Sequence, residues 1–251
     1  TTALGRGVLE NDMIRDVETI FRMEPMVEGP NHFGGRILFT PEGQIILTLA
    51  ERFKGDPAQD LSNHMGTVVR INKDGSAPAD NPFVNDAEAR DEIWSYGHRN
   101  IESAALDPQT GNLWVAEMGP MGGDELNLVK PGENYGWNEV SWGSHYDGEE
   151  IPEPTTRPEF EDAKIVWTPT ISPSGMIFYD GDMFPEWKNH AIIGGLTSSG
   201  LVIVRVNGEE AEEVERIPLA VRVRDLAQAS DGSIIVITDE DNGKVLRLKK
   251  L

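Results

Sequence analysis

The chain has 251 residues, a length that suits one large all-β domain or two small ones and that can bury a substantial core. Its 43 acidic and 22 basic residues give a formal net charge of −21, which argues against binding to nucleic acid or to an anionic membrane surface. The sequence has no cysteine, which excludes disulfides, thiol catalysis and thiolate metal sites, and it has no apolar run long enough to cross a membrane.

Short β-like runs rich in Val, Ile and Leu follow one another along the chain, each bounded by Gly, Pro, Asp or Asn. No long window shows the 3.6-residue periodicity of an amphipathic helix. The pattern therefore predicts an all-β fold. The predicted strands are 36–39, 44–49, 67–71, 112–116, 190–194, 201–206, 233–238 and 244–248.

One sequence plan recurs: a turn containing glycine, then a short apolar strand, then an acid. It is found in PEGQIILTLAE at 41–51, DPQTGNLWVAEM at 107–118 and SDGSIIVITDE at 230–240, with a weaker copy at 184–196. A propeller blade needs about 40–50 residues. The repeat therefore predicts four or five four-stranded antiparallel blades of a β-propeller, with a β-sandwich as the alternative.

The clearest motifs lie in six segments, at 31–53, 66–83, 94–100 (WSYGHRN), 116–137 (AEMGPMGGDELNLVKPGENYGW), 167–179 and 221–248. In this order they closely resemble the glucose/sorbosone dehydrogenase family, the soluble aldose sugar dehydrogenases that use pyrroloquinoline quinone and calcium. The resemblance implies a single β-propeller domain over 1–251. It also implies a six-bladed family architecture whose N-terminal blade region is missing or incomplete here, with the quinone lying across the top face.

Two arginines alternate in VRVRD, so Arg222 and Arg224 are predicted to point to one face of a strand. Two guanidinium groups on one face repel each other unless an anion lies between them, and arginine suits bidentate capture of a carboxylate. That anion is either a neighbouring acid, such as Asp225 or Asp239, or a ligand. The resemblance implies the ligand, because family members bind the cofactor carboxylates there.

The HRN motif places a cation and an amide side by side, at Arg99 and Asn100. The resemblance implies that both lie beside the reactive quinone carbonyls and act in catalysis. A cation in that place stabilises the negative charge that develops during hydride transfer. A structural ion pair is the alternative for Arg99, and His98 is predicted to be a packing residue.

Gly119 and Pro120 form a tight bend ahead of an acidic pair. The resemblance implies that their two carbonyls hold the catalytic calcium, a hard cation that takes oxygen ligands. It further implies that Asp124 supports this loop and that Glu117 faces the substrate. An ordinary Gly-Pro turn is the alternative. A second, structural calcium is implied near Tyr135.

Trp167 and Thr170 resemble residues that flank the cofactor, with core packing as the alternative for Trp167. Thr197 stands about where family members often carry a cofactor-binding lysine, so the resemblance implies weaker cofactor binding or a variant that never used the lysine.

The family's catalytic histidine lies in an LHPDF-like motif, which this chain lacks. Its histidines occur in other contexts, at His32, His64, His98, His145 and His190. General-base assistance contributes on the order of 100- to 10,000-fold. We therefore expect impaired turnover, with His32 and His98 the first residues to examine as replacements.

The resulting hypothesis is a quinoprotein dehydrogenase that oxidises aldoses at C1 to lactones by hydride transfer to pyrroloquinoline quinone. The alternatives are a non-catalytic β-propeller that binds a ligand or partner, and a calcium-dependent lactonase-type propeller. The expected partners are a small aldose sugar and an external electron acceptor, without nucleic acid or membrane insertion, in a monomer or a dimer. The resemblance implies a periplasmic or secreted protein.

Overall fold

The computed structural model describes residues 1–250 and is almost entirely β. Within this range the strands are antiparallel, and the only helical segments are short 3₁₀ turns at Asp56–Gln59, Pro154–Thr156 and Pro185–Trp187. None of the helices in residues 1–250 is long and apolar enough to cross a membrane. The predicted all-β class is confirmed, and the chain divides into two compact units.

The first unit comprises residues 1–100 and 130–138. It contains a two-stranded hairpin, β1 (Ala3–Glu10) and β2 (Met13–Arg22), and one four-stranded sheet. In spatial order this sheet consists of β3 (Gly34–Phe39), β4 (Ile45–Leu49), β5 (Val68–Ile71) and β6 (Ile93–Ser95). Each strand pairs with the strand that follows it in sequence, which is the meander expected of a propeller blade.

The second unit comprises residues 101–129 and 139–251, of which the structure describes those up to 250. It contains two four-stranded sheets and one three-stranded sheet, again with sequential strands as neighbours. The first is built from β7 (Ile101–Leu106), β8 (Leu113–Glu117), β9 (Asp124–Val129) and β10 (Ile165–Trp167). The second is built from β11 (Pro173–Phe178), β12 (His190–Gly195), β13 (Gly200–Asn207) and β14 (Glu210–Pro218). The third is built from β15 (Val223–Gln228), β16 (Ile234–Thr238) and β17 (Val245–Leu248).

The repeated sequence plan corresponds to the turn and second strand of a sheet. Gly43, Gly111 and Gly232 have φ values of 84°, 78° and 81°, the left-handed conformation that glycine adopts without steric cost. They precede β4, β8 and β16, each of which is the second strand of its sheet. The weaker copy falls on β12, also a second strand. The repeat therefore marks the same structural position in each sheet.

The second strands are apolar because they lie in the core. All residues of β4 and β8 are buried, so these strands read as continuous runs of Ile, Leu, Val and Trp instead of alternating polar and apolar positions. The acid of each repeat stands at or just past the strand end, at Glu51, Glu117 and Asp239. The second strand of each of these sheets thus places a carboxylate at its C-terminal end.

Candidate functional site

Glu51 follows β4 by two residues and is only 1% exposed. Its Oε1 is hydrogen-bonded to Nδ1 of His32, and its Oε2 accepts hydrogen bonds from the backbone N–H groups of Lys54 and Gly55. Burial raises the pKa of Glu51, but the hydrogen bonds from His32 and the two amides outweigh it and leave the pKa below its ordinary value. The carboxylate is therefore ionised at neutral pH.

This carboxylate fixes the imidazole of His32. An ionised acceptor at Nδ1 keeps the ring hydrogen on that nitrogen, so Nε2 carries the free lone pair. The side chain is 12% exposed, which leaves the ring partly open to a ligand. A histidine oriented through Nδ1 by a carboxylate is the arrangement of a general base. His32 has this geometry although the chain has no LHPDF-like motif.

Arg52, the residue after Glu51, holds the backbone around His32. Its guanidinium is buried and donates hydrogen bonds to the carbonyl oxygens of Asn31, His32 and Gly29. The guanidinium carbon also lies 3.5 Å from the centre of the Phe33 ring. All these contacts are with the segment 29–33, so Arg52 positions the loop that carries the histidine.

Arg99 and Asn100 lie in the same unit as this pair. The backbone carbonyl of Arg99 accepts a hydrogen bond of 3.0 Å from the N–H of Glu51. Both side chains are buried, and the guanidinium of Arg99 lies 5.2 Å from the centre of the Trp137 ring. Within residues 1–250 the Asn100 Oδ1 atom is buried and has no hydrogen-bond partner. Buried polar atoms without a hydrogen-bond partner are rare in folded proteins. Asn100 Oδ1 therefore fits a position where a bound polar group donates the missing hydrogen bond.

His98 and Tyr135 form a packed pair. The two rings stack with centroids 4.4 Å apart, and His98 Nε2 is 2.9 Å from Ser95 Oγ. The hydroxyl of Tyr135 accepts a hydrogen bond from the backbone N–H of Lys130. These contacts support the predicted packing role of His98. The calcium assignment of Tyr135 stays a prediction.

The loop from Gly119 to Asp124 is braced by hydrogen bonds in the second unit. Asp124 Oδ1 accepts from the N–H of Gly119 at 3.0 Å, and its Oδ2 accepts from the N–H of Ser172 at 2.7 Å. Thr168 Oγ1 accepts from the N–H of Gly123 at 3.0 Å. Asp124 therefore supports this loop, as the resemblance implied.

Gly119 has no room for a side chain. A Cβ atom at this position would lie 2.3 Å from the carbonyl oxygens of both Gly122 and Gly123. Glycine at position 119 therefore allows the loop to pack tightly against its own backbone. Among residues 1–250 no group of three or more His, Cys, Asp or Glu side chains could hold a metal. The assignment of calcium to the backbone carbonyls of Gly119 and Pro120 stays a prediction.

Glu117 is paired with a second glutamate. Glu117 and Glu125 are opposite each other on β8 and β9, and Asn127 Nδ2 donates to Glu117 Oε1 and to Glu125 Oε2, at 3.1 Å in both cases. Burial and then the charge of Glu117 raise the pKa of Glu125 to about 8. The raised pKa favours a shared proton in the pair, which lets the two carboxyl groups lie side by side.

Arg222 and Arg224 do share one face, as predicted, and a single carboxylate lies between them. Arg222 donates two hydrogen bonds to Asp239 Oδ2, and Arg224 donates two to Asp239 Oδ1. The hydrogen bonds from Arg224 and Arg222 hold the pKa of Asp239 below its usual range. Two cations against one anion leave a net positive charge, and both guanidinium groups remain partly exposed. The cluster therefore fits a further carboxylate, such as those of pyrroloquinoline quinone.

Trp167 and Thr170 lie on the segment that braces the Gly119 loop. Trp167 is buried in a hydrophobic cluster, and its Nε1 donates to Glu213 Oε2 at 2.6 Å. This placement supports the packing interpretation, and the cofactor-covering role stays a prediction. Thr197 Oγ1 donates to the carbonyl of Thr170 at 2.9 Å, so Thr197 ties this segment to the turn that follows β12.

The acids of the repeated sequence plan are paired with residues that lie elsewhere in the chain. The three acids of the repeat have different hydrogen-bond partners. Glu51 pairs with His32, Asp239 accepts from Arg222 and Arg224, and Glu117 accepts from Asn127. The recurrence of these acids was visible in the sequence. The pairing of Asp239 with the arginines was one of the alternatives, whereas His32 and Asn127 were not predicted as partners, because they lie 19 and 10 positions from their acids.

Comparison with known proteins identifies a family and several relatives. The profile of the glucose/sorbosone dehydrogenase family matches residues 1–247. An uncharacterized protein of Synechocystis sp. is 40% identical over 99% of this chain, and the chain spans 63% of that relative's length.

Two solved structures are similar as well. The soluble aldose sugar dehydrogenase of Escherichia coli, in its apo form, superposes with a TM-score of 0.91 at 38% identity, over 98% of this chain and 72% of that one. The PQQ-bound form of an aldose sugar dehydrogenase from Streptomyces coelicolor superposes with a TM-score of 0.74 at 27% identity, over 95% of this chain and 67% of that one. These matches confirm the β-propeller fold class, and the chain belongs to the glucose/sorbosone dehydrogenase family.

Proposed function

We propose that this protein is a pyrroloquinoline quinone-dependent aldose dehydrogenase that oxidises the C1 carbon of an aldose to a lactone. When bound, the quinone supplies a two-electron acceptor for hydride, and calcium supplies a Lewis acid. The observation that carries the proposal is the buried His32–Glu51 pair in a member of a sugar dehydrogenase family.

In this proposal His32 takes the proton of the C1 hydroxyl at Nε2 while the C1 hydrogen leaves as hydride. The oxygen–hydrogen and carbon–hydrogen bonds break, and a carbonyl forms at C1. Glu51 stabilises the imidazolium that results, because its ionised carboxylate already accepts the Nδ1 hydrogen. Arg52 keeps the ring in place by holding the carbonyl oxygens around it.

The remaining assignments follow the family resemblance. Arg222 and Arg224 bind cofactor carboxylates, and the net positive charge of their cluster with Asp239 supports this role. Arg99 and Asn100 contact the reactive end of the quinone. Further assignments place the catalytic calcium on carbonyls of Gly119 and Pro120, a structural calcium near Tyr135, cofactor contacts at Trp167 and Thr170, and the substrate at Glu117.

The sequence and the structure point to different expectations about turnover. The absent LHPDF-like motif predicts impaired turnover, whereas the His32–Glu51 pair supports turnover. Thr197, which stands where relatives often carry lysine, gives no charge to the cofactor and so favours weaker quinone binding.

We propose an extracytoplasmic location, an external electron acceptor and a dimer on the family resemblance.

The test is titration of the purified protein with pyrroloquinoline quinone, with and without calcium, followed by glucose and a dye acceptor. We expect calcium-dependent quinone binding and then dye reduction. His190→Asn is the matched control for His32→Asn, because His190 is a partly exposed histidine whose Nδ1 contacts the backbone carbonyl of Lys188. Failure to bind the quinone in the presence of calcium would refute the proposal.

A further inference from the structure

The segment 130–138 belongs to the first unit, although the strands before and after it belong to the second. It lies against the chain that leads into the HRN motif, where the N–H of Trp137 donates to the carbonyl of Gly97 at 2.8 Å. A Cβ atom at Gly97 would lie 2.1 Å from Asn134 Oδ1, so the two stretches of chain are in close contact. The segment is thus packed against the residues that directly precede Arg99.

A single glutamine locks this segment in place. Gln59 Nε2 donates to Asn134 Oδ1 at 3.1 Å and to the carbonyl of Trp137 at 2.6 Å. Gln59 Oε1 in turn accepts from Asn134 Nδ2 at 2.7 Å, so both ends of the glutamine amide are used. Gln59 ends the 3₁₀ turn Asp56–Gln59 and has no role in the chemistry proposed above. Its contacts fix the backbone on either side of the Trp137 ring, because the N–H and the carbonyl of Trp137 are both held.

Trp137 carries this restraint to Arg99. The guanidinium carbon of Arg99 lies 5.2 Å from the centre of the indole ring, within the range of about 6 Å over which an aromatic face attracts a cation. Arg99 is 4% exposed, so solvent screens this attraction only weakly. Within residues 1–250 the indole N–H of Trp137 is buried and has no hydrogen-bond partner. The contact with Arg99 therefore depends on the face of the ring and not on its polar atom.

The stretch 51–59 also holds the base pair. Glu51 Oε2 accepts from the N–H groups of Lys54 and Gly55, which directly precede the 3₁₀ turn that ends in Gln59. The same stretch thus contacts both the acid that orients His32 and the segment that supports Arg99. The groups assigned to proton removal and to charge stabilisation therefore share one support within the first unit.

We propose, resting on the proposed function, that Trp137 and Gln59 are positioning residues for Arg99. Trp137 holds the guanidinium where it stabilises negative charge on the reactive end of the quinone, and Gln59 acts through Trp137 by locking its backbone. Loss of either contact lets the guanidinium move. The protein then prefers the reduced cofactor over the oxidised cofactor less strongly, while the binding of the sugar is unchanged.

The support of Arg99 is tested first without quinone, by reaction with phenylglyoxal, which modifies accessible guanidinium groups, followed by peptide mapping. Arg99 should react several-fold faster in Gln59→Leu and in Trp137→Leu than in the wild type. Trp137→Phe keeps an aromatic face and should react at nearly the wild-type rate. Gln109→Leu is the matched control, because Gln109 is an exposed glutamine in the turn before β8.

Thermal unfolding checks that each variant is folded, and Gln59→Leu, the milder change, decides the test if Trp137→Leu does not fold. An unchanged reaction rate of Arg99 in folded Gln59→Leu would overturn the proposal. So would a Trp137→Phe variant that reacts as fast as Trp137→Leu, because the face of the ring would then not be what holds Arg99.

The effect on the cofactor is measured on the protein loaded with quinone and calcium, as the reduction potential of the bound quinone. Gln59→Leu and Trp137→Leu should each lower the ratio of the affinities for reduced and oxidised quinone about tenfold, which is about 30 mV towards lower potential for a two-electron couple. Trp137→Phe and Gln109→Leu should keep the wild-type potential. In the two Leu variants at positions 59 and 137, kcat for glucose should fall while KM stays the same.

The outcomes separate this proposal from the proposed function. A wild-type protein that binds no quinone would refute the proposed function, and the reaction of Arg99 with phenylglyoxal would still decide whether Trp137 and Gln59 hold its guanidinium. A wild-type potential in variants whose Arg99 reacts faster would overturn the positioning role and leave the proposed function standing.

Discussion

His32 and Glu51 form a buried hydrogen-bonded pair in which the histidine uses Nδ1 and the carboxylate uses Oε1. The other carboxylate oxygen is occupied by two backbone amides, so the acid cannot rotate away from the ring without losing them. The histidine itself has a left-handed φ of 49°. A rigid strand end therefore orients a side chain that lies on a loop.

The pair predicts a pH dependence of stability. The pKa of Glu51 in the folded protein is below its ordinary value of 4.5, so its contribution is fully present above that pH and is lost as pH falls through the folded pKa. Glu51→Gln should lower the free energy of unfolding by about 1.5–3 kcal/mol at pH 7. The deficit should shrink in acid. Urea unfolding at pH 7 and below pH 4 measures this, with the exposed Glu42→Gln as control. An equal deficit at both pH values would contradict the charge-based account.

Arg52 offers a test of loop positioning. Arg52→Met removes hydrogen bonds from a charged donor to three backbone carbonyls. We therefore expect the free energy of unfolding to fall by about 1.5–3 kcal/mol or more. The substitution should also lower kcat more than it changes KM, because the base is displaced. The control is Arg90→Met, whose exposed ion pair with Glu24 is worth at most about 1 kcal/mol. An unchanged kcat in folded Arg52→Met would show that the loop does not need this clamp.

The cluster of Arg222, Arg224 and Asp239 predicts that the affinity for the quinone depends on the two arginines. Arg224→Ala removes a charge-assisted contact and should weaken quinone binding by about 1.5–3 kcal/mol. Arg205→Ala is the control, because Arg205 is an exposed strand residue paired with Glu212. Calorimetric titration with quinone in saturating calcium measures both. Equal affinity of the two variants would assign Arg224 to a purely structural pair with Asp239.

Gly119 predicts a calcium effect. Gly119→Ala places a Cβ atom against two carbonyl oxygens, so the loop must open. We expect the calcium-induced rise in Tm to be lost in this variant. Gly243→Ala is the matched control, because a Cβ there meets its nearest atom at an ordinary 3.5 Å. If calcium raised the Tm of Gly119→Ala as much as that of the wild type, this loop would not be the calcium site.

Much of the fold was predictable from sequence because buried strands have a plain signature. The runs at 44–49 and 233–238 coincide with β4 and β16, whose positions follow from apolar residues and left-handed turn glycines. The acidic run at 209–215 falls on β14 at the edge of its sheet, where most of its side chains are in contact with solvent.

The hairpin of β1 and β2 was not predicted. Nearly all of its residues are exposed, so it has no alternation between a core face and a solvent face. Its turn is made by Asn11 and Asp12, both with positive φ, instead of by a glycine. Without a buried face and a turn glycine, the segment has neither of the signals that identified the other strands.

The candidate site was predictable only in part. Local motifs identified the paired arginines and the Gly-Pro loop. The His32–Glu51 pair required knowing that β3 and β4 are neighbours, since that pairing brings the start of one strand beside the end of the other. The sequence leaves His32 and His98 as equal candidates for the base, because the acid that orients His32 lies 19 positions away in the chain.

The most direct test of the central claim is single-turnover reduction of the quinone-loaded, calcium-loaded protein by glucose, followed by absorbance in a stopped-flow instrument. The account predicts that wild type and His190→Asn reduce the bound quinone at similar rates. His32→Asn should bind the quinone equally well but reduce it on the order of 100- to 10,000-fold more slowly. Reduction by His32→Asn at the wild-type rate, or no reduction by the loaded wild type, would contradict the account.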